Sequence, residues 1–453
     1  MNIFFRLFIF ILFIATPVSA QEIHGVYIAN QGNFSDDNGS ITWYDFATKQ
    51  HEEVLSNFGT IVQSITLDHH FGYIASNTSN NVDILDLSTN MRVGQIREVG
   101  QPRYISVINK DKAYVTNHLG SDNNVKVLNL QSQLVSDSIS TGSKPEDIAV
   151  IGNRAFVANH GFGRDSTLTV INIQTDEVIA TIDLGCDGPR HLEVDQQEEL
   201  WAFCTGNTRY NADFTQIVER TNGAAVVVDP NTNEILHREE FNHQIGSDGP
   251  GQDSYFSEVS QEIFLIRNDS TMVLIFDTAT NTYKESIPFE GDGRVGGLAY
   301  DASERLFYIG RFDRDFAVGF TEPGFVQIAK RDDLSEVGRF TVGIAPAHLV
   351  LHQSSRATAV EESGIPQGIG LSPAYPNPFY DYTTLTFTLD QPQQVTLSIF
   401  DAIGREVALP VSGWQSAGEH RIVWEADHLP AGTYFSKLII GDHIATGTLV
   451  RMR

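Results

Sequence analysis

The chain has 453 residues, 41% of them hydrophobic, which is enough to bury a sizeable core and suggests two or three domains on length alone. A formal net charge of -27 weighs against a phosphate-backbone binder, which needs a basic footprint, and fits an acidic, soluble surface. There are two cysteines, Cys186 and Cys204, and no CxxC or Cys/His spacing of the kind that holds zinc.

Residues 1–20 read MNIFFRLFIFILFIATPVSA: one basic residue, Arg6, an apolar run from Leu7 to Ile14, and small residues at Val18-Ser19-Ala20. That is the layout of a secretory signal peptide, with a mature chain expected from Gln21. No later segment approaches the roughly 18 consecutive apolar residues of a membrane span, so the mature protein is expected not to be membrane-spanning.

From Gln21 onward one pattern recurs. An aromatic-aliphatic strand runs into Asn or a polar loop at VYIAN (Val26 to Asn30), GYIASN (Gly72 to Asn77), AYVTN (Ala113 to Asn117) and AFVAN (Ala155 to Asn159). Weaker copies follow at LWAFCT, IFLIRN and LFYIGR. The aromatic positions are Tyr27, Tyr73, Tyr114, Phe156, Trp201, Phe264 and Phe307, at spacings of 46, 41, 42, 45, 63 and 43 residues. A period in the low forties with strand content predicts one four-stranded propeller blade per repeat. Within Ser143 to Leu184, for example, EDIAVI, RAFVANH, STLTVINI and EVIATIDL give the four strands in order, inner to outer. The turns before the outer strands (LSTN, QTDE, DPNTNE, DTATNT) are read as local backbone chemistry.

The array begins with a second strand, GVYIAN, and ends with a spare inner strand, PAHLVLH at Pro346 to His352. Pairing the two closes a seven-bladed ring and leaves no free inner edge. The expected fold is therefore all-β: a seven-bladed β-propeller over 21–353, then a linker over 354–370 short of large apolar residues, then a small immunoglobulin-like β-sandwich over 371–453.

In such a ring the loops after each second strand and before each inner strand share one face around the channel, the default ligand site. That face is expected to gather Arg103, Tyr104, His118, His160, Arg190, His191, Tyr210, Arg294, Arg311 and His348. Arginines and aromatics can stack on a planar ligand and donate to its amides or phosphate. The Pro-Arg, Pro-Glu and Pro-Ala-His entry turns also have a purely structural reading, and His118 and His160 share one repeat position. The fifth repeat, enlarged by NTRYNADFTQIVERTNG at Asn207 to Gly223, departs from the pattern, and loops of that length are often functional. A hairpin turning at Gln196 to Glu199 would bring Cys186 and Cys204 to one end, where a disulfide could form; a pair of unpaired structural thiols is the alternative. NFSDDNGS is rich in oxygen ligands but lacks a calcium-loop spacing, and there is no HExxH, GxSxG or Rossmann glycine pattern, so no catalytic residue, metal or required cofactor is expected.

Two resemblances add to this. YVTN at Tyr114 to Asn117, with its copies, resembles the YVTN-repeat propellers of bacterial surface proteins. YIANQGNFSDDNGSITWYD, QPRYISV and GSKPEDIAV further resemble a subfamily that includes surface cobalamin-capture propellers. Near the C-terminus, Tyr375-Pro376-Asn377-Pro378-Phe379, Phe400-Asp401, Gly404-Arg405, Gly418, His420, Leu429 to Tyr434, and the basic Arg451 and Arg453 resemble the type IX secretion C-terminal sorting domain. That resemblance implies the type IX secretion machinery as a partner, and a cell-surface or extracellular location. The propeller resemblance implies capture of a small molecule, with a corrinoid as the candidate ligand, and hand-over to an outer-membrane transporter. Two other readings stay open, a surface adhesion or envelope-scaffold protein binding protein or glycan, and a lactonase-like propeller enzyme.

Overall fold

The structure is a computed structural model. It describes residues 23–56, 58–68, 70–118, 123–213, 215–246, 251, 254–267, 272–289, 293–353, 370–371, 374, 377, 379, 382–389, 392–401, 405–426, 429–430, 432–440 and 443–451. The expected signal peptide, the linker short of Gly370, and Tyr375, Pro376, Pro378, Gly404 and Arg453 of the sorting pattern lie outside the described residues. The chain divides into two units, Met1–Arg356 and Ala357–Arg453.

The first unit is a seven-bladed propeller of seven four-stranded antiparallel sheets. Blade 1 is closed by the two ends of the array: Pro346–Gln353 pairs with Ile23–Asn30, with Val26 opposite Leu351 and Ile28 opposite Leu349. Blades 2 to 7 follow in chain order, with inner strands Val62–Asp68, Pro102–Asn109, Pro145–Ile151, Pro189–Val194, Ser254–Ser257 and Arg294–Asp301.

Burial explains why the repeat reads as it does. Second strands are flanked by neighbouring blades on both faces, so they need apolar residues on both: Arg154–Asn159 is buried at every position but its first. Outer strands face water and keep only scattered apolar positions, as in Glu177–Asp183. Each interface between consecutive blades has its own core. Phe156, Leu168 and Val170 of blade 4 pack on Leu192, Ala202 and Val226 of blade 5, and Val26 and Tyr44 of blade 1 pack on Val326 and Phe340 of blade 7.

Second-strand side chains tie blade 1 to blade 2, blade 3 to blade 4 and blade 4 to blade 5. Tyr27 Oη donates to Asn90 Oδ1 at 2.7 Å, Tyr114 Oη donates to Asp176 Oδ1, and Arg154 Nη1 donates to Asn233 Oδ1 at 3.1 Å. Each acceptor sits in the outer turn of the following blade with φ near +55 to +65°, a conformation Asn and Asp adopt more readily than other side chains. These turns are therefore more than local chemistry. At the opposite strand end the repeat's Asn holds the loop: Asn159 Nδ2 donates to Thr167 and Thr169 Oγ1, both at 3.0 Å, and Asn77 Nδ2 reaches the Pro102 carbonyl at 3.0 Å.

The second unit is a two-sheet β-sandwich. Tyr382–Leu389 pairs with Gly370–Leu371 and Gly418–Glu425 in one sheet. Glu406–Gln415, Gln393–Asp401, Gly432–Ile440 and His443–Arg451 form the other. Phe379, Phe387, Leu397, Trp424, Tyr434 and Leu449 fill the core between them. Asn377 clips its segment onto the last strand, donating to the Thr448 carbonyl at 2.6 Å and accepting from the Val450 amide at 2.7 Å.

Candidate functional site

Gln63, Arg103, Glu146 and Arg190 occupy the same repeat position, one residue into the inner strands of blades 2 to 5. In a ring, equal positions on consecutive blades become neighbours, so these side chains meet at the mouth of the channel. Arg103 forks onto Glu146, with Nε to Oε2 at 3.0 Å and Nη2 to Oε1 at 2.8 Å, and its Nη1 donates to Gln63 Oε1. His118 Nε2 lies 3.8 Å from Glu146 Oε1. Burial alone would raise the Glu146 carboxyl, but Arg103, His118 and Arg190 outweigh it and hold the group well below the usual carboxylate range.

The next residues on these strands cross the channel. Tyr104 Oη donates to the Gly251 carbonyl at 3.3 Å, from blade 3 to the entrance of blade 6. Its ring centre is 6.0 Å from His191 of blade 5 and 6.3 Å from His348 of blade 1. All three are buried. Burial pushes His348 down to about 3, with His191 adding to the shift. Deeper in the channel, Ser254 Oγ donates to Glu193 Oε1 at 2.7 Å, and burial raises that carboxyl to about 8 despite the bond.

His118 and His160 make the same backbone bond, each amide donating to a carbonyl of its own blade's entry turn, Gln101 or Lys144, at 3.1 Å. Burial lowers His118 to about 4, opposed by Glu146, and lowers His160 to about 3, with Arg190 next in effect. His160 Nε2 also meets Thr205 Oγ1 at 3.2 Å, tying blade 4 to blade 5.

Seven of the ten expected residues thus converge: Arg103, Tyr104, His118, His160, Arg190, His191 and His348. They form a largely buried plug and do not stand as an open ring of donors. The other three lie elsewhere. Tyr210 is 46% exposed on the blade 5 insertion, a hairpin of Thr208–Tyr210 and Ile217–Arg220. Cys186 and Cys204 form a disulfide at its root, Cα atoms 5.9 Å apart. Beside them Thr221 Oγ1 donates to Asp187 Oδ2 at 2.7 Å, so the arm leaves the blade from a fixed base. Arg294 is exposed at the start of the blade 7 inner strand, opposite Phe312.

Arg311 is 1% exposed, its guanidinium 5.5 Å from the centre of the Phe289 ring. It lines a cleft of about 670 Å³ that runs from the Asp313–Glu322 loop down the blade 6 side of blade 7. Phe312, Phe325, Val318 and Gln327 share the lining with Arg314, Arg339, Asp313, Glu322 and Glu336.

Sequence reasoning read Pro145-Glu146 as an entry turn and did not single out Gln63 or Glu193, although shared repeat position was a usable signal for Gln63 and Glu146. It also omitted Phe325, Gln327 and Arg339, which sit on strands whose alternation gives no hint of a cleft. Among the described residues, no group of three or more His, Cys, Asp or Glu is placed to hold a metal, and no helix is long and apolar enough to cross a membrane.

Comparison with known proteins adds four findings. Residues 24–221 match a family described as "Domain of unknown function (DUF5074)". Comparison with curated proteins gives no match. Among solved structures, the propeller resembles a chain of "Kuenenia stuttgartiensis Hydrazine Synthase" at 18% identity and a TM-score of 0.51, over 65% of this chain and 96% of that one. A chain of "Dihydro-heme d1 dehydrogenase NirN in complex with DHE" aligns at 14% identity and 0.46, over 74% of this chain and 77% of that one. The first likeness concerns fold alone, and the second carries no argument. Residues 373–450 match the family described as "Secretion system C-terminal sorting domain", and the protein is accordingly handled by the type IX secretion system and exported to the cell surface or the extracellular space.

Proposed function

We propose that this exported propeller captures a small molecule on its loop face, with a corrinoid as the specific candidate, and passes it to an outer-membrane transporter. The observation that carries the reading is the blade 7 cleft of about 670 Å³, concave, opening at a loop-face insertion, and holding Arg311, one of the residues chosen from sequence. The resemblance of YIANQGNFSDDNGSITWYD and AYVTN to the YVTN-type capture propellers supplies the corrinoid. A ligand larger than the cleft engages it through one edge and rests its remainder on the face beside it.

Titration calorimetry of the full chain with cyanocobalamin, alongside an absorbance spectrum of the protein as purified, tests this. Binding weakened about tenfold or more by Arg311→Ala, a loss of at least one charge-assisted bond, is the expected result. No heat together with a spectrum lacking cofactor removes the corrinoid.

A second reading has its own observation. Ile217, Val218 and Tyr210 on the hairpin, and Phe162 on the loop of the adjacent blade 4, expose large apolar side chains on the same face, which suits contact with an envelope protein. Capture of a defined envelope protein that is lost with Ile217→Asp and Val218→Asp would favour it.

A further inference from the structure

The blade 7 cleft sorts its charges by depth. Its floor is Arg311, Gln327 and Phe312, all buried. Arg314, Arg339, Asp313, Glu322 and Glu336 are exposed at its rim. Among the described lining residues Arg311 is the only charged group that is buried. The rim carries two arginines against three carboxylates, and part of it is already engaged: Glu336 takes the Arg339 fork through two bonds of 2.6 Å, and Asp313 Oδ1 accepts the Asp315 amide at 2.8 Å. The guanidiniums also lie over rings, Arg311 5.5 Å from the Phe289 centre and Arg339 4.7 Å from the Phe325 centre.

A molecule entering this cleft passes a mixed rim with one negative charge in excess, then the apolar side chains of Val318 and Phe325, before it meets Phe312, a cation and an amide at the floor. From that order we infer that the site takes a ligand with an oxyanion head, carboxylate or phosphate, on a flat apolar body. The head lies at Arg311 and Gln327, and the body lies along Phe312 and Phe325. This rests on the small-molecule reading above and names its ligand class. It also assigns Arg311 as the residue that selects charge, and Val318 as the gatepost at the mouth.

The test uses three probes of one shape: 1-naphthoate, 1-naphthyl phosphate and the neutral 1-naphthamide, titrated into the full chain by calorimetry. At least one anion is expected to bind about tenfold or more tightly than the amide, the margin of one charge-assisted fork, and the better anion identifies the head. Arg311→Lys keeps the charge but loses the fork, and is expected to erase most of that preference while leaving the amide within roughly twofold. Val318→Trp, on the exposed one-turn helix Phe316–Gly319, is expected to weaken all three probes. The comparison of probes on the unaltered protein stands even where Arg311→Lys fails to fold. Equal binding of anion and amide overturns the inference, as does anion binding unmoved by both substitutions, or no binding of any probe. Its failure is separable from that of the corrinoid reading. Naphthoate bound through Arg311 with no cyanocobalamin heat keeps the site and removes the corrinoid, whereas cyanocobalamin heat that survives Arg311→Lys places capture elsewhere on the face.

Discussion

The channel mouth and the blade 7 cleft use the same residue types to opposite ends. At the mouth, Arg103 of blade 3 meets Glu146 of blade 4 and Gln63 of blade 2, and Tyr104 reaches Gly251 across the ring. These polar groups meet partners supplied by other blades, and the result is closure. In the cleft, Arg314, Arg339 and Glu322 stay in water at the rim of a space that no blade fills. The lesson concerns rings of repeats: a charged residue is a poor ligand candidate when the same position of the next repeat supplies its complement, and a better one where an insertion interrupts the register.

The strongest way to break this comparison is Glu146→Ala. It removes the carboxylate from a buried group containing Arg103, and should cost about 3–5 kcal/mol, read from urea unfolding. Arg339→Ala in the cleft rim breaks an exposed pair and should cost no more than about 1 kcal/mol. Similar losses for the two would mean that the mouth is no sealed network. Next in size, replacing both Cys186 and Cys204 with Ser opens a link spanning 18 residues, with an expected loss of about 3 kcal/mol. Faster amide exchange through Thr208–Arg220 should accompany it if the disulfide anchors the arm.

The smallest effect at neutral pH, and the sharpest in sign, is titration. His118, His160 and His348 are held below the ordinary histidine value, at about 4, 3 and 3. The unfolded chain therefore binds more protons, so their contribution is complete above about pH 6.5 and is lost as pH falls through the folded values. Glu193, raised to about 8, behaves in reverse: its contribution is complete below the ordinary carboxylate value and is lost as pH rises through about 8. Unfolding measured across pH should show both arms, with Glu193→Gln removing the alkaline one. An acid arm unchanged in His160→Gln would show that this imidazole is not sealed.

Much of the fold was legible because a propeller writes its geometry into period and alternation. The aromatic-aliphatic run of AFVAN needs cover on both faces, and the mismatch between a leading second strand and a spare PAHLVLH admits one pairing. The site was legible only as a face. Arg103 and Arg311 look alike in sequence, each beside an aromatic in a strand that reaches the loop face. What separates them is three-dimensional: Arg103 has a complement one repeat away, whereas the Asp313–Glu322 insertion keeps space open beside Arg311. Arg339 gave no signal, since an outer strand shows the same mixed polarity whether it borders a cleft or bulk water.

The strand that completes blade 1 is also the last of the ring to be made. Blades 2 to 7 are each built from consecutive segments and can form from local hairpins, whereas Ile23–Asn30 must wait for Pro346–Gln353 before it has an inner partner. Pairing between the two ends of the propeller chain carries the largest loop-closure entropy in the unit and should be its slowest event. A chain delivered N-terminus first through a membrane thus stays an open, deformable arc until almost all of the propeller has emerged. The same join that removes the free edge from the finished ring acts as a timer on when the loop face exists at all.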